Sequence, residues 1–179
     1  MKRPRILVAG VGNIFFGVEV AQRLMRRRLP EDVRVVDFGI RGLDLTYALL
    51  DGYEAVILVD AAPRGGRPGT LYVLDITAGA APAEGAPPIE AHGMDPLKVL
   101  RLAAAMGGRV GRLLVVGCEP EPSADADEMR AGLSDAVAAA AEEAVPLIES
   151  LVVRRLRGEE VAAGYDNLVT GKEGGSCQR

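Results

Sequence analysis

The stretch RILVAGVGNIFFGVEVAQRL, Arg5 to Leu24, changes its pattern halfway and so decides the first unit of the fold. Arg5–Gly10 is a short, unbroken apolar run, the pattern of a strand covered on both faces. The second half passes into helical spacing, with apolar residues at 18, 20, 21, 24, 25 and 29 of a helix predicted over Val18–Leu29. Arg26, Arg27 and Arg28 close that helix, where cations suit the negative end of its dipole. Between the halves lies Gly10-Val11-Gly12-Asn13, a glycine turn from strand to helix.

Outward from this unit the pattern repeats. Val33–Asp37 (VRVVD), Ala55–Asp60 (AVILVD) and Arg112–Gly117 (RLLVVG) read as further buried strands, and Thr70–Asp75 (TLYVLD) as a fifth strand, a candidate for the sheet's edge. Helical patterns fall at Asp44–Leu50, at Asp95–Met106 and at Ala124–Arg157. The second opens with Asp-Pro, an N-cap followed by proline at the first helical position. The third is alanine-rich, and Pro146 is expected to kink or divide it. The order β-α-β-α-β-β-α-β-α predicts an α/β layered domain with a mostly parallel sheet. Thr77–Glu90, rich in Ala, Pro and Gly, reads as an exposed loop. Residues 158–179 lose periodicity and read as a flexible tail, which leaves 1–157 as one domain.

A chain of 179 residues buries roughly 70% of its unfolded surface on folding, so a core needs no disulfide scaffold. Its 21 basic and 25 acidic residues give a net charge of −4, which offers no global attraction to nucleic acid or to an anionic membrane. No run approaches the ~18–20 apolar residues of a membrane span. The N-terminus turns within a few residues into a strand rather than a signal peptide. Cys118 and Cys177 lie far apart and form no metal-binding pair, as in a reduced cytoplasmic protein.

The glycine turn stands where a dinucleotide fold places its phosphate loop, with Asp37 where a ribose-binding acid would end the second strand. The spacing fails, because Phe15 occupies the third glycine position and the next glycine is Gly17. A tight turn between strand and helix, without a ligand, accounts for the glycines. Ligands of open α/β sheets gather beyond the carboxyl ends of the strands, where Asp37 and Asp60 both stand. Asp60 is followed at once by Ala61-Ala62-Pro63, so its carboxylate either points into that crevice or caps a neighbouring loop. His92, the chain's single histidine, precedes Gly93-Met94-Asp95-Pro96 and its helix. It is either a solvated loop residue or, with Asp60, part of a site for a borderline divalent metal such as nickel or zinc. HExxH and GxSxG are absent, and Cys118 reads as a small buried residue rather than a nucleophile. The nucleophile is left unassigned.

Four blocks carry a resemblance to a known family. They are ILVAGVGNIFF followed by GVEVAQRL, AVILVDAAPRGGRPGTLYVL, AHGMDPLKVLRLA, and LLVVGCEPEP. In this order and spacing, from Ile6 to about Leu151, the chain resembles the hydrogenase maturation endopeptidases. The resemblance implies a three-layer α/β/α sandwich around a twisted, mostly parallel sheet of about five strands. It also implies an activity, removal of the C-terminal extension from the large-subunit precursor of a nickel–iron hydrogenase once nickel is inserted. The partner would be that precursor, and the nickel would belong to it, although other divalent metals could occupy the site. Two acids and a histidine recognise the metal in this family, and Asp60 and His92 match one acid and the histidine. The turn Arg64-Gly65-Gly66-Arg67 and the 77–90 loop are expected to rim the crevice.

The remaining acid has no match. The family carries an insert of roughly Leu-Gly-Asp-Asp-Gly between its first two segments, whereas here Phe15 runs directly into Phe16-Gly17-Val18. Glu19 is close in sequence but falls in the predicted helix. Either the chain lacks the loop, or residues stand between Phe15 and Phe16 that the sequence does not show. Bonded neighbours would lie about 3.8 Å apart. Without the acid, a relative that binds the precursor but does not cleave it is the alternative function.

Overall fold

All five apolar runs form strands, in the order of elements that the sequence predicts. The computed structural model describes residues 5–12, 15–76, 96–109, 111–122 and 132–159. Along the chain these form β1 (Ile6–Val11), α1 (Phe16–Met25), β2 (Val33–Gly39), α2 (Gly42–Leu49), β3 (Ala55–Ala61), β4 (Leu71–Asp75), α3 (Pro96–Ala105), β5 (Arg112–Cys118) and α4 (Asp135–Leu156). The strands form one sheet in the order β2-β1-β3-β5-β4. The first four are mutually parallel, and β4 runs antiparallel along β5 as the edge strand.

Alternate residues of each strand feed opposite faces, as a period of two requires. On one face Ile6, Val8, Ile57, Val59, Leu114 and Val116 pack with Phe16, Val20 and Leu24 of α1 and with Ala144, Ile148 and Leu151 of α4. On the other, Leu7, Ala9, Val56, Leu58, Leu113 and Val115 pack with Leu45 and Leu49 of α2 and Val99 and Ala103 of α3. The three layers expected from the family resemblance are therefore present. Each fully buried Leu or Phe contributes roughly 1.5–3 kcal/mol through burial. The chain leaves β1 for β2 on one side and returns for β3 on the other. The point where it changes direction, between the carboxyl ends of β1 and β3, is the usual ligand crevice of such sheets.

All four helices differ from their predicted bounds, α2 and α3 by one or two residues, and the starts of α1 and α4 have a physical reason. α1 starts at Phe16, because the phenylalanine is wholly buried in the layer against the sheet rather than spent in the turn. The Glu19 amide donates to the Phe15 carbonyl at 2.8 Å, the i to i−4 bond of a first helical turn. Phe15 and Phe16 are thus consecutive residues at the start of α1, as they are in the sequence. α4 begins at Asp135, where Ser134 Oγ accepts the Val137 amide at 3.4 Å as an N-cap. It runs undivided through Pro146. Pro146 and Glu142, whose carbonyl loses its donor there, are both exposed, so water can replace the missing bond. The earlier part of the predicted helix (124–131), the 77–90 loop, His92 and the tail from 160 onward lie outside the described residues. No helix of the described residues is long and apolar enough to cross a membrane.

Candidate active site at the carboxyl rim of the sheet

β3 is buried from end to end, and Asp60 is its last residue but one. The carboxyl group is 3% exposed. Its Oδ1 accepts the Ala61 amide at 2.8 Å, while Oδ2 has no hydrogen-bond partner among the described residues. Burial disfavours the charged form and lifts the pKa from 3.8 to about 7, with the Ala61 amide opposing the shift. An oxygen that is buried, unpaired and half-ionised near neutrality is costly to keep. Such exceptions mark ligand sites.

The glycines around Asp60 have specific duties. Gly12 adopts φ +93°, and a Cβ there would lie 2.2 Å from Asp60 Oδ1. Its place beside the turn is thus filled by the carboxyl group. Its amide donates to the Gly39 carbonyl at 3.0 Å. With that N–H engaged and a carboxyl group alongside, Gly12 is unsuited to cradle a pyrophosphate. Gly10 and Gly17 let α1 rest directly on the strands. A Cβ on Gly17 would lie 2.3 Å from the Val59 carbonyl oxygen and 2.4 Å from that of Val11.

Asp60, Gly117 and Tyr72 stand in one row across β3, β5 and β4. Because Gly117 has no side chain, the Tyr72 ring lies over it, where a Cβ would come within 2.1 Å of ring carbons. The Tyr72 hydroxyl donates to the Ala62 carbonyl at 2.9 Å. Burial first, and then the Asp60 charge, push its pKa up. Cys118 is fully buried, and burial raises its thiol to about 12, so it stays protonated and is no nucleophile at neutral pH.

Sequence reading missed Glu119. It is 5% exposed and follows β5 directly. Its Oε1 and Oε2 accept the Arg64 amide at 3.0 and 2.8 Å, and Oε1 also accepts the Gly65 amide at 3.1 Å. The expected rim turn is therefore anchored from below, and Arg64 lies over the Tyr72 ring at 4.9 Å from its centroid.

Of Asp37, Asp60 and Glu19, only Asp60 is buried. Asp37, on β2, pairs in register with Gly10 of β1, so β1 separates it from β3. Glu19 stands on α1 and is paired there with Arg23, Nε to Oε1 at 2.8 Å. Among the described residues no three His, Cys, Asp or Glu side chains come together as a metal site.

An α/β sheet with a buried, half-paired carboxyl at its switch point defines a class of domain that works at its strand ends. The sequence model of the hydrogenase maturation proteases matches residues 18–151. The hydrogenase expression/formation protein HupD of Rhizobium leguminosarum is 31% identical over 154 residues, covering 82% of this chain and 75% of HupD. The hydrogenase maturating endopeptidase HybD of Escherichia coli superposes with a TM-score of 0.68 at 30% identity, covering 86% of this chain and 94% of HybD. A hydrogenase 2 maturation peptidase from a Thaumarchaeota archaeon gives 0.57 at 30% identity, covering 89% and 100%. The chain belongs to the hydrogenase maturation protease family, and its class is therefore that of a peptide hydrolase.

Proposed function

We propose that the chain is the endopeptidase that removes the C-terminal extension of a nickel–iron hydrogenase large-subunit precursor, and that Asp60 and His92 recognise the nickel which that precursor carries. The observation that supports this most directly is the buried Asp60 Oδ2 with no partner among the described residues. A carboxylate oxygen and an imidazole are ligands that a borderline divalent ion accepts beside thiolates of the precursor. Topology agrees. α3 packs on the Asp60 face and ends where β5 begins, so its first turn lies toward the carboxyl rim. His92 stands four positions before Pro96 in the sequence.

On this reading Asp60 and His92 act by placement. They grip the substrate's ion from one side, and the peptide bond beside it is held at the rim, where orientation lowers the barrier. The ion itself can polarise the peptide carbonyl or a water. Two protein ligands hold a free ion weakly, so the metal arrives with the substrate. The reaction belongs in the cytoplasm, where the buried Cys118 thiol and the distant Cys177 stay reduced.

Incubation with nickel-loaded precursor, followed by mass spectrometry, tests the proposal. The expected result is loss of a C-terminal peptide, suppressed by His92→Gln. Binding without any mass change would replace it with the non-cleaving alternative.

The pH dependence has a definite sign. Asp60 must lose its proton to bind metal, and its pKa is about 7. His92 must be neutral, and an imidazole ordinarily titrates at ~6.5. Both requirements fail as the medium becomes acidic. The value of kcat/KM should therefore fall steadily from pH 8 to pH 5. A profile flat over that range removes both residues as ligands.

A further inference from the structure

We propose that Glu119 is a positioning residue for the cleavage reaction, holding residues 62–69 as a fixed shelf beside Asp60 on which the precursor's chain is laid. The proposal rests on the reading of the Asp60 rim as the active site.

Residues 63–68 are all exposed, so the segment buries little that could order it. Hydrogen bonds hold it instead, and Glu119 makes them at its middle and its far end. The Glu119 amide donates to the Thr70 carbonyl at 2.9 Å, and its carbonyl accepts the Gly69 amide at 2.8 Å, closing the far end. The Ala62 amide donates to the Cys118 carbonyl at 3.1 Å and fixes the near end. The Glu119 carboxylate then takes the Arg64 and Gly65 amides in the middle. Asp60 and Glu119 are the only buried acids among the described residues. Burying a carboxylate costs free energy, and here it orders an exposed segment rather than joining core to core. Loops held rigid on a scaffold are where binding residues concentrate.

The shelf is also shaped for a polypeptide. At Gly65 a Cβ would meet nothing within 4 Å, and at Gly66 its nearest neighbour would be Glu119 Oε2 at 3.4 Å. The outer side of the turn is therefore bare backbone, which another chain can approach closely. It follows Asp60 by only a few residues, so its displacement would misplace a substrate at the rim without touching the metal ligands.

The test compares Glu119→Ala and Glu119→Gln for cleavage of nickel-loaded precursor and for hydrogen exchange at the Arg64 and Gly65 amides. Glu119→Ala should raise KM about tenfold, leave kcat within about threefold and speed exchange of both amides about tenfold or more. Glu119→Gln keeps one acceptor oxygen and should fall between wild type and Ala in both readouts. It carries the test alone if the alanine variant does not fold. Freed amides with an unmoved KM, or a loss confined to kcat, would overturn the proposal. Asp60→Asn is assayed alongside. Should that variant cleave at the wild-type rate, the Asp60 reading fails, and this is distinguishable from a failure of the Glu119 split between KM and kcat.

Discussion

Asp60→Asn should lower precursor cleavage by at least about a hundredfold, and should at the same time stabilise the protein above pH 7. The first effect follows from loss of a metal ligand. The second follows from burial. The folded protein binds the Asp60 proton with a pKa of about 7, against 3.8 for the ordinary carboxyl. Between those values the folded state holds a proton that the unfolded state has released. Stability from this group is therefore full below about pH 4, declines as pH rises toward 7, and is flat above. The whole decline is on the order of 4 kcal/mol. Asparagine carries no charge and recovers part of that amount, since its amide is itself left short of partners. Urea unfolding of both proteins at pH 5 and pH 8 measures the difference. Equal pH slopes in wild type and variant would show that Asp60 is not the buried acid described above.

Gly17→Ala should cost about 3–5 kcal/mol, enough to leave many domains of this size unfolded. The added Cβ would press on the Val59 and Val11 carbonyl oxygens from both sides. Neither is the far end of a flexible side chain, so α1 would have to lift from the sheet and expose Phe16, Val20 and Leu24. Val59 precedes Asp60, so residual folded protein should also cleave poorly. Gly52→Ala is the control. Gly52 has φ +75° but open space around its Cβ position, so only backbone strain of about 1 kcal/mol is expected. Denaturant midpoints of the two variants should differ widely. Matching midpoints would mean that the contact of α1 with β1 and β3 is looser than the geometry requires.

The fold was legible because its strands are buried on both sides and announce themselves as runs of Val, Ile and Leu. β3 and β5 came within one residue of their bounds for that reason. Helix ends were less legible. Alanine content extended the last helix toward residue 124, whereas its described start is set by a single hydroxyl, Ser134, that composition does not weigh. α1 began early because Phe16 packs against the sheet, a tertiary choice invisible to local pattern. Asp60 could be found because an acid at a strand end has a place in the topology. Glu119 could not, because its partners are the backbone amides of residues 64 and 65, whose donors carry no signature in the side-chain sequence. The one available sign was an acid directly after a buried strand, which in isolation distinguishes nothing.

The flush seating of α1 on β1, through Gly17 and Gly10, also bears on the acidic insert that the family resemblance implies after Phe15. Helix and strand are held together by direct contact of Gly17 with Val11 and of Gly10 with Gly17, not by the residues that bridge them. That bridge can therefore take more or fewer residues, and with them a different chemistry at the rim, while the scaffold beneath stands still.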